Sequence, residues 1–302
     1  MGQTIFLNGD YVSRDEAKVS VYDHGLLYGD GIFEGIRVYG GNVFRLREHL
    51  VRLYESAQSI MLKIPYSLDE MEGIVVETVR RNALDDAYIR LVATRGTGDL
   101  GLDPWKCQTA AVFVIVEELA MFPKELYEQG IDVVSVATRR SRGDILNPRV
   151  KSLNYLNNIL IKIDARVAGA SEALVLNTEG YVVEGSGENV FIVKNGVFYT
   201  PPTYLGALAG ITRQVVMEIA EELGYMVKEE AFHRHDVYVA DEVFLTGTAA
   251  EIVPVVKVDG RVIGTGEPGF CTKQVHETFR RRVLVDGVQV YPDRAASVAS
   301  RV

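Results

Sequence analysis

Lys151-Ser152-Leu153-Asn154-Tyr155 and, further along, Glu184-Gly185-Ser186-Gly187-Glu188-Asn189 offer an amine, a phenol and a carboxylate. One aldehyde cofactor could use all three. A lysine amine condenses with a carbonyl to a Schiff base, and the cofactor that exploits this best is pyridoxal phosphate, an electron sink when an acidic partner keeps its ring nitrogen protonated. Glu184 is the candidate partner. Lys151 follows a run containing Gly143, Asn147 and Pro148 and precedes an apolar-periodic segment, which predicts a loop-to-helix junction. Tyr155, four residues on, would then lie one helical turn away on the same side, with its hydroxyl toward the ring oxygen. Taken alone, a lysine followed by an asparagine and a tyrosine is usually a helix start with a solvated ammonium.

The phosphate of such a cofactor needs backbone donors. Gly210-Ile211-Thr212 precedes the periodic set Val215, Val216, Ile219, Ala220 and Leu223, so free N–H groups and the positive end of a helix dipole would meet an anion there. The alternative is an ordinary capped helix.

The elements that must position these groups divide into two lobes. In the first, Asn8-Gly9 and Gly40-Gly41 signal hairpins, and Leu46 to Ile60 reads as a helix on Leu46, Leu50, Leu53 and Ala57. Ser67-Leu68-Asp69-Glu70 has the form of a capping box opening a second helix toward Arg81. Strands are expected over Tyr88–Thr94 and Thr109–Val116. In the second lobe strand signals fall at Ile131–Ala137, Ala173–Asn177, Val190–Val193 and Glu242–Leu245, with helices near Asn154–Val167, Thr212–Leu223 and Thr272–Val285. Asn195-Gly196 marks another hairpin turn. The expected organisation is a small α+β domain over 1–118, an interdomain linker over 119–128, a larger mixed α/β domain over 129–291 and a flexible tail over 292–302.

Composition bounds the function. A formal net charge of -9 argues against nucleic acid, which needs a basic face. Two cysteines, Cys107 and Cys271, make no disulfide framework and point to a reducing compartment. No charged-then-apolar leader opens the sequence and no run reaches the ~18 apolar residues of a membrane span, so a cytoplasmic protein is expected.

Tyr28-Gly29-Asp30-Gly31-Ile32-Phe33-Glu34-Gly35-Ile36-Arg37, then Phe44-Arg45-Leu46-Arg47-Glu48-His49-Leu50-Val51-Arg52-Leu53, closely resembles the opening of the branched-chain aminotransferases in the class IV pyridoxal-phosphate family. The resemblance continues in order through Tyr88-Ile89-Arg90, Gly98-Asp99-Leu100-Gly101-Leu102, the Lys151 and Glu184 segments, Gly210-Ile211-Thr212-Arg213 and Thr246-Gly247-Thr248-Ala249-Ala250-Glu251, over about residues 3 to 285. It implies a two-domain enzyme of pyridoxal-phosphate fold type IV, of mixed α+β and α/β character, with the cofactor between the domains. It further implies that Lys151 is the Schiff-base lysine and proton shuttle. Tyr155 and Glu184 would hold the ring, and Arg45, Ile211, Thr212, Gly247 and Thr248 the phosphate. Tyr28, Phe33, Gly35, Arg37, Leu102 and Tyr155 would line the side-chain pocket, while Tyr88, Arg90, Thr248 and Ala249 would receive the substrate carboxylate.

An apolar pocket discriminates by only ~1–3 kcal/mol per methylene, so L-leucine, L-isoleucine and L-valine would all be accepted. The second substrate would be 2-oxoglutarate in a ping-pong cycle, and Arg37 or Arg90 could serve the extra carboxylate of glutamate. At least a homodimer is implied. The alternative on the same fold is a D-amino-acid aminotransferase or an aminodeoxychorismate lyase.

Other motifs are set aside. Gly96-Thr97-Gly98-Asp99-Leu100-Gly101 fits the dinucleotide pattern, but Leu102-Asp103-Pro104 follows where the helix must begin. His233 and His235 in a polar segment read as surface residues, not metal ligands. Ser186 lacks the nucleophile elbow of a serine hydrolase.

Overall fold

A computed structural model of the chain describes residues 2–118 and 123–292. Residues 119–122 of the expected linker and all of the expected tail except Pro292 lie outside the described residues. Two compact units partition the rest. The first gathers 2–118, 150–154 and 282–292, the second 123–149 and 155–281.

The first unit opens with β1 (Thr4–Leu7) and β2 (Asp10–Ser13), joined through Asn8-Gly9. Both turn residues have positive φ, 52° and 106°, which an Asn-Gly pair tolerates. Then come α1 (His24–Tyr28), β3 (Gly31–Tyr39), β4 (Asn42–Phe44), α2 (Leu46–Ser59), α3 (Leu68–Asn82), β5 (Ala87–Thr94) and β6 (Ala111–Glu117). The sheet is antiparallel and seven-stranded, in the order Gly287–Gln289, β4, β3, β5, β6, β1, β2. Its edge strand thus comes from the far end of the chain. The expected capping box opens α3: Ser67 Oγ accepts from Glu70 N at 3.3 Å and Glu70 Oε2 from Ser67 N at 2.7 Å.

Helices α2 and α3 cover one face of this sheet, with Leu46, Leu50, Leu53, Met71 and Val75 packed on Ile32, Ile36, Val38, Ile89 and Leu91. Side chains alternate along a strand. The even residues of β3 therefore meet the helices, and Phe33, Gly35 and Arg37 stand on the opposite face. The register pairs Gly35 with Arg90 and Arg37 with Tyr88, which puts both β5 residues on that second face too.

The second unit contains α4 (Lys124–Gln129), β7 (Ile131–Ser135), α5 (Leu156–Val167), β8 (Glu172–Leu176), β9 (Val182–Glu184), β10 (Asn189–Lys194), β11 (Val197–Thr200), α6 (Ile211–Glu222), β12 (Met226–Glu229), α7 (Arg234–Tyr238), β13 (Glu242–Gly247), β14 (Glu251–Val258), β15 (Arg261–Val262) and α8 (Phe270–Arg282). Helix α4 lies within the stretch expected to be linker. The sheet runs β12, β11, β10, β13, β14, β7, β8, β9, with β15 added to β14. It is mixed, with β11–β12, β14–β7 and β7–β8 parallel. Val190, Ile192, Leu245, Val253 and Val255 form its core with Phe232 and Val237. Strand β14 has no strand signal in the sequence reading, because Pro254 interrupts its apolar run, yet Pro254 pairs in register with Phe244. Among the described residues no helix is long and apolar enough to cross a membrane.

Candidate active site

Lys151 stands before a helix, as expected, but it is separated from that helix by an extended segment. Residues 151–154 are non-helical, Ser152 bridges to Ile32, and α5 begins only at Leu156. The cause lies in β3. Strand β4 reaches β3 at Val38 and Tyr39, so the backbone at Gly31–Phe33 needs other partners on that edge. Phe33 N donates to Lys151 O at 2.9 Å, and Leu153 N donates to Gly31 O at 2.9 Å. Lys151 N in turn donates to Ser56 Oγ on α2 at 3.2 Å. Tyr155 is thus not one helical turn from Lys151; it takes the N-cap position of α5, in the second unit.

On the open face of the first unit's sheet, Lys151 Nζ lies 4.7 Å from the centroid of the Phe33 ring. The Arg90 guanidinium sits 4.6 Å from the same ring and donates to Tyr88 Oη at 3.1 Å. Gly35 is required by close approach: a Cβ there would fall 2.0 Å from Tyr88 Oη. Arg37 stacks on Tyr39 at 4.8 Å. An amine, an aromatic wall, a phenol and two guanidinium groups therefore share one face, an arrangement able to take an apolar side chain and a carboxylate. Tyr28 and Leu102 lie toward the loops. Tyr28 Oη donates to Leu100 O at 2.6 Å, and His24 Nε2 meets Asp99 O at 2.8 Å, which ties the loop to α1, while Leu102 is 79% exposed.

Beneath that face is a buried ionic cluster that sequence reasoning left without a role. Glu34, 0% exposed, accepts from Arg52 Nε and Nη2 at 2.7 Å each and meets His49 Nδ1 at 2.7 Å. Burial pushes the Glu34 carboxyl up, but Arg52 and His49 outweigh it and hold it at about 2. Burial lowers the His49 imidazole, against the pull of Glu34. His49, Arg52 and Ser56 occupy one stripe of α2, so this cluster and the anchor of Lys151 share a helix face. Arg45 stands elsewhere, at the start of α2, with its guanidinium on Asp286 at 2.6 Å and Glu48 at 3.2 Å.

The second unit holds the remaining expected residues. Glu184 ends β9, 6% exposed, with Oε1 on Arg140 Nη2 at 2.8 Å. Its Oε2 accepts from Leu208 N at 3.0 Å and Asn189 Nδ2 at 3.5 Å. A carboxylate accepts about four hydrogen bonds, so Glu184 retains capacity for a further donor such as a protonated ring nitrogen. Arg140 is the residue sequence reasoning missed here. It is 4% exposed and also reaches Asn157 Oδ1 at 2.9 Å, but it lies in no periodic segment.

Gly210 is the N-cap of α6 and supplies no side-chain cap, so Ile211 and Thr212 open the helix with amides suited to an anion. A Cβ on Gly210 would fall 2.0 Å from Asn189 Oδ1, the same asparagine that touches Glu184. Gly247 ends β13, and Thr248 and Ala249 form the turn into β14. A carboxylate with spare acceptor capacity and an uncapped helix start fit a cationic ring bearing a phosphate.

The sequence profile of the family "Amino-transferase class IV" matches residues 31–258. The putative branched-chain-amino-acid aminotransferase of Methanocaldococcus jannaschii is 55% identical over 289 residues, covering 96% of this chain and 99% of its own. The crystal structure of the Escherichia coli branched-chain amino acid aminotransferase superimposes with a TM-score of 0.92 at 37% identity, covering 97% of this chain and 98% of that one. The T.th. branched-chain amino acid aminotransferase with pyridoxamine 5'-phosphate gives 0.91 at 39% identity, covering 96% and 97%. With a fold-type IV architecture and relatives matched nearly end to end, this chain is an aminotransferase and belongs to the class IV family.

Proposed function

We propose that the enzyme transfers the amino group of L-leucine, L-isoleucine and L-valine to 2-oxoglutarate, using pyridoxal 5'-phosphate. The names of its relatives support this, and the observation that carries it is the shared face of Lys151, Phe33, Gly35, Tyr88 and Arg90. When bound, the cofactor supplies an electron sink for the substrate α-carbon. Lys151 binds it covalently through Nζ and, once displaced, carries the proton to and from that α-carbon. Glu184 keeps the ring nitrogen protonated, with Arg140 orienting the carboxylate, and Tyr155 bonds the ring oxygen. The amides of Ile211 and Thr212 and the Gly247-Thr248 turn hold the phosphate.

Arg52, not Arg45, is the better candidate for the cation on that phosphate. It shares the α2 stripe with the Ser56 that anchors Lys151, whereas Arg45 stands apart from that stripe at the start of α2, on Asp286 and Glu48. Phe33, Gly35, Tyr28, Arg37 and Leu102 receive the branched side chain; Tyr88, Arg90 and the Thr248 and Ala249 amides receive the carboxylate. The working form is a homodimer or higher homo-oligomer.

The test is a near-visible absorbance titration of the cofactor-loaded protein. Loss of the lysine-linked cofactor's band with L-leucine but not D-alanine is expected. A response to D-alanine alone would assign a D-amino-acid aminotransferase instead.

A further inference from the structure

We propose that Glu188 is a positioning residue held in the folded chain as the neutral acid, so that Glu184 stands as the one carboxylate of its cluster open to a cationic ligand. The first half stands on the second unit alone. The ligand half rests on the reading of Glu184 given above.

Three glutamates surround the Gly185–Gly187 turn: Glu172 on β8 at 0% exposure, Glu184 at 6% and Glu188 at 2%. Glu172 has its own cation, with Oε2 on Lys162 of α5 at 2.5 Å, and its Oε1 accepts from Ala173 N and Ser186 N. Glu184 has Arg140. Among the described residues Glu188 pairs with no cation: its Oε2 accepts only from Gly187 N at 3.0 Å, and its buried Oε1 has no hydrogen-bond partner.

The strands packed against it bring no free cation among the described residues. Gly247, at the end of β13, lies across from Glu188, its Cβ position 3.5 Å from Glu188 Cγ. Beyond that turn β14 opens on Glu251, itself a carboxylate, occupied by Arg280 at 2.9 Å and His276 at 3.8 Å. Three buried carboxylates thus face two cations. An uncompensated buried carboxylate costs several kcal/mol, and binding a proton avoids that cost. Burial first, then the charge of Glu172, pushes the Glu188 carboxyl up to about 8, against the Gly187 N–H and Lys162.

The turn makes this matter for Glu184. Gly185 N donates to Glu188 O at 2.6 Å and Gly187 N to Glu188 Oε2, so Glu188 closes the loop that leaves Glu184. Ionised, it would set a second negative charge beside Glu184, in competition for Arg140 and for the turn's N–H groups.

Two measurements test this on the full chain. The first compares cofactor-free wild type and Glu188→Gln, an isostere of the acid, by infrared difference spectra and thermal melting from pH 6 to 9. A protonated buried carboxyl band that titrates away in the wild type and is missing from Glu188→Gln is expected, with a fall in melting temperature toward pH 9 that the variant lacks. No such band in the wild type at pH 7 would overturn the proposal even if the variant failed to fold. The second measures pyridoxal-phosphate affinity of both proteins at pH 7 and 9. With the neutral acid reduced to about a tenth of molecules at pH 9, wild-type affinity should fall about tenfold relative to the variant. An unchanged ratio would overturn the positioning role while leaving cofactor binding intact. Failure of both proteins to bind would instead sink the reading of Glu184.

Discussion

Replacing Arg52 with methionine keeps the apolar stem and removes the guanidinium from a carboxylate that has 0% exposure. Glu34 would keep only His49, and breaking one side of a buried ion pair costs about 3–5 kcal/mol. Arg45→Met breaks pairs whose acidic side chains remain 36% and 45% exposed, where the loss should be about 1 kcal/mol or less. Amide hydrogen exchange of α2 and β3 under denaturant reads the first quantity, and equilibrium dialysis against pyridoxal phosphate reads the function.

Acid dependence sharpens the comparison. The Glu34 carboxyl goes from 4.5 unfolded to about 2 folded, a contribution of about 3 kcal/mol that is full above pH 4.5 and lost as pH falls through 2. His49, lowered by burial, adds a loss that begins as pH falls below about 6.5. In Arg52→Met the low-pH limb should shrink, since the largest pull on Glu34 is gone. A cost under about 1 kcal/mol for Arg52→Met, with cofactor affinity lost in Arg45→Met instead, would refute both the buried cluster's energetics and the assignment of Arg52.

Two further substitutions probe the separate faces. Gly35→Ala should force Tyr88 away from Arg90, costing about 1–3 kcal/mol in stability and raising KM for L-leucine more than it lowers kcat; a variant with wild-type KM would remove Gly35 from the pocket. Glu184→Gln should retain the covalent cofactor band but lower kcat on the order of 100-fold, as the ring nitrogen loses its anionic partner, and wild-type turnover would void that pairing.

Much of the fold was legible because its signals are local. The capping box at Ser67 and Glu70, the apolar spacing of Leu46, Leu50, Leu53 and Ala57, and the Asn8-Gly9 and Asn195-Gly196 turns each specify their own element, and each is present. Where a partner distant in sequence decides the conformation, the pattern was silent. The spacing of Lys151 and Tyr155 suggests one helical turn, but backbone at Gly31–Phe33 that lies beyond the reach of β4 draws the Lys151 segment into an extended bridge. Strand β14 hid behind Pro254, and the edge strand Gly287–Gln289 is three residues completing a sheet begun at the other end of the chain.

The site divides the same way. Lys151 and Glu184, on which the proposed chemistry rests, stand out in the sequence by residue type and motif. Arg140 and the Glu34–His49–Arg52 cluster do not, because an ion pair between residues far apart in sequence leaves no periodic trace.

The central claim is that Lys151 holds the cofactor. Borohydride treatment of the pyridoxal-phosphate-loaded protein fixes the cofactor to whichever lysine carries it, and peptide mass mapping then locates the added mass. A single modified peptide containing Lys151 is expected, with no modification in Lys151→Ala. Modification of another lysine in the wild type would contradict that claim.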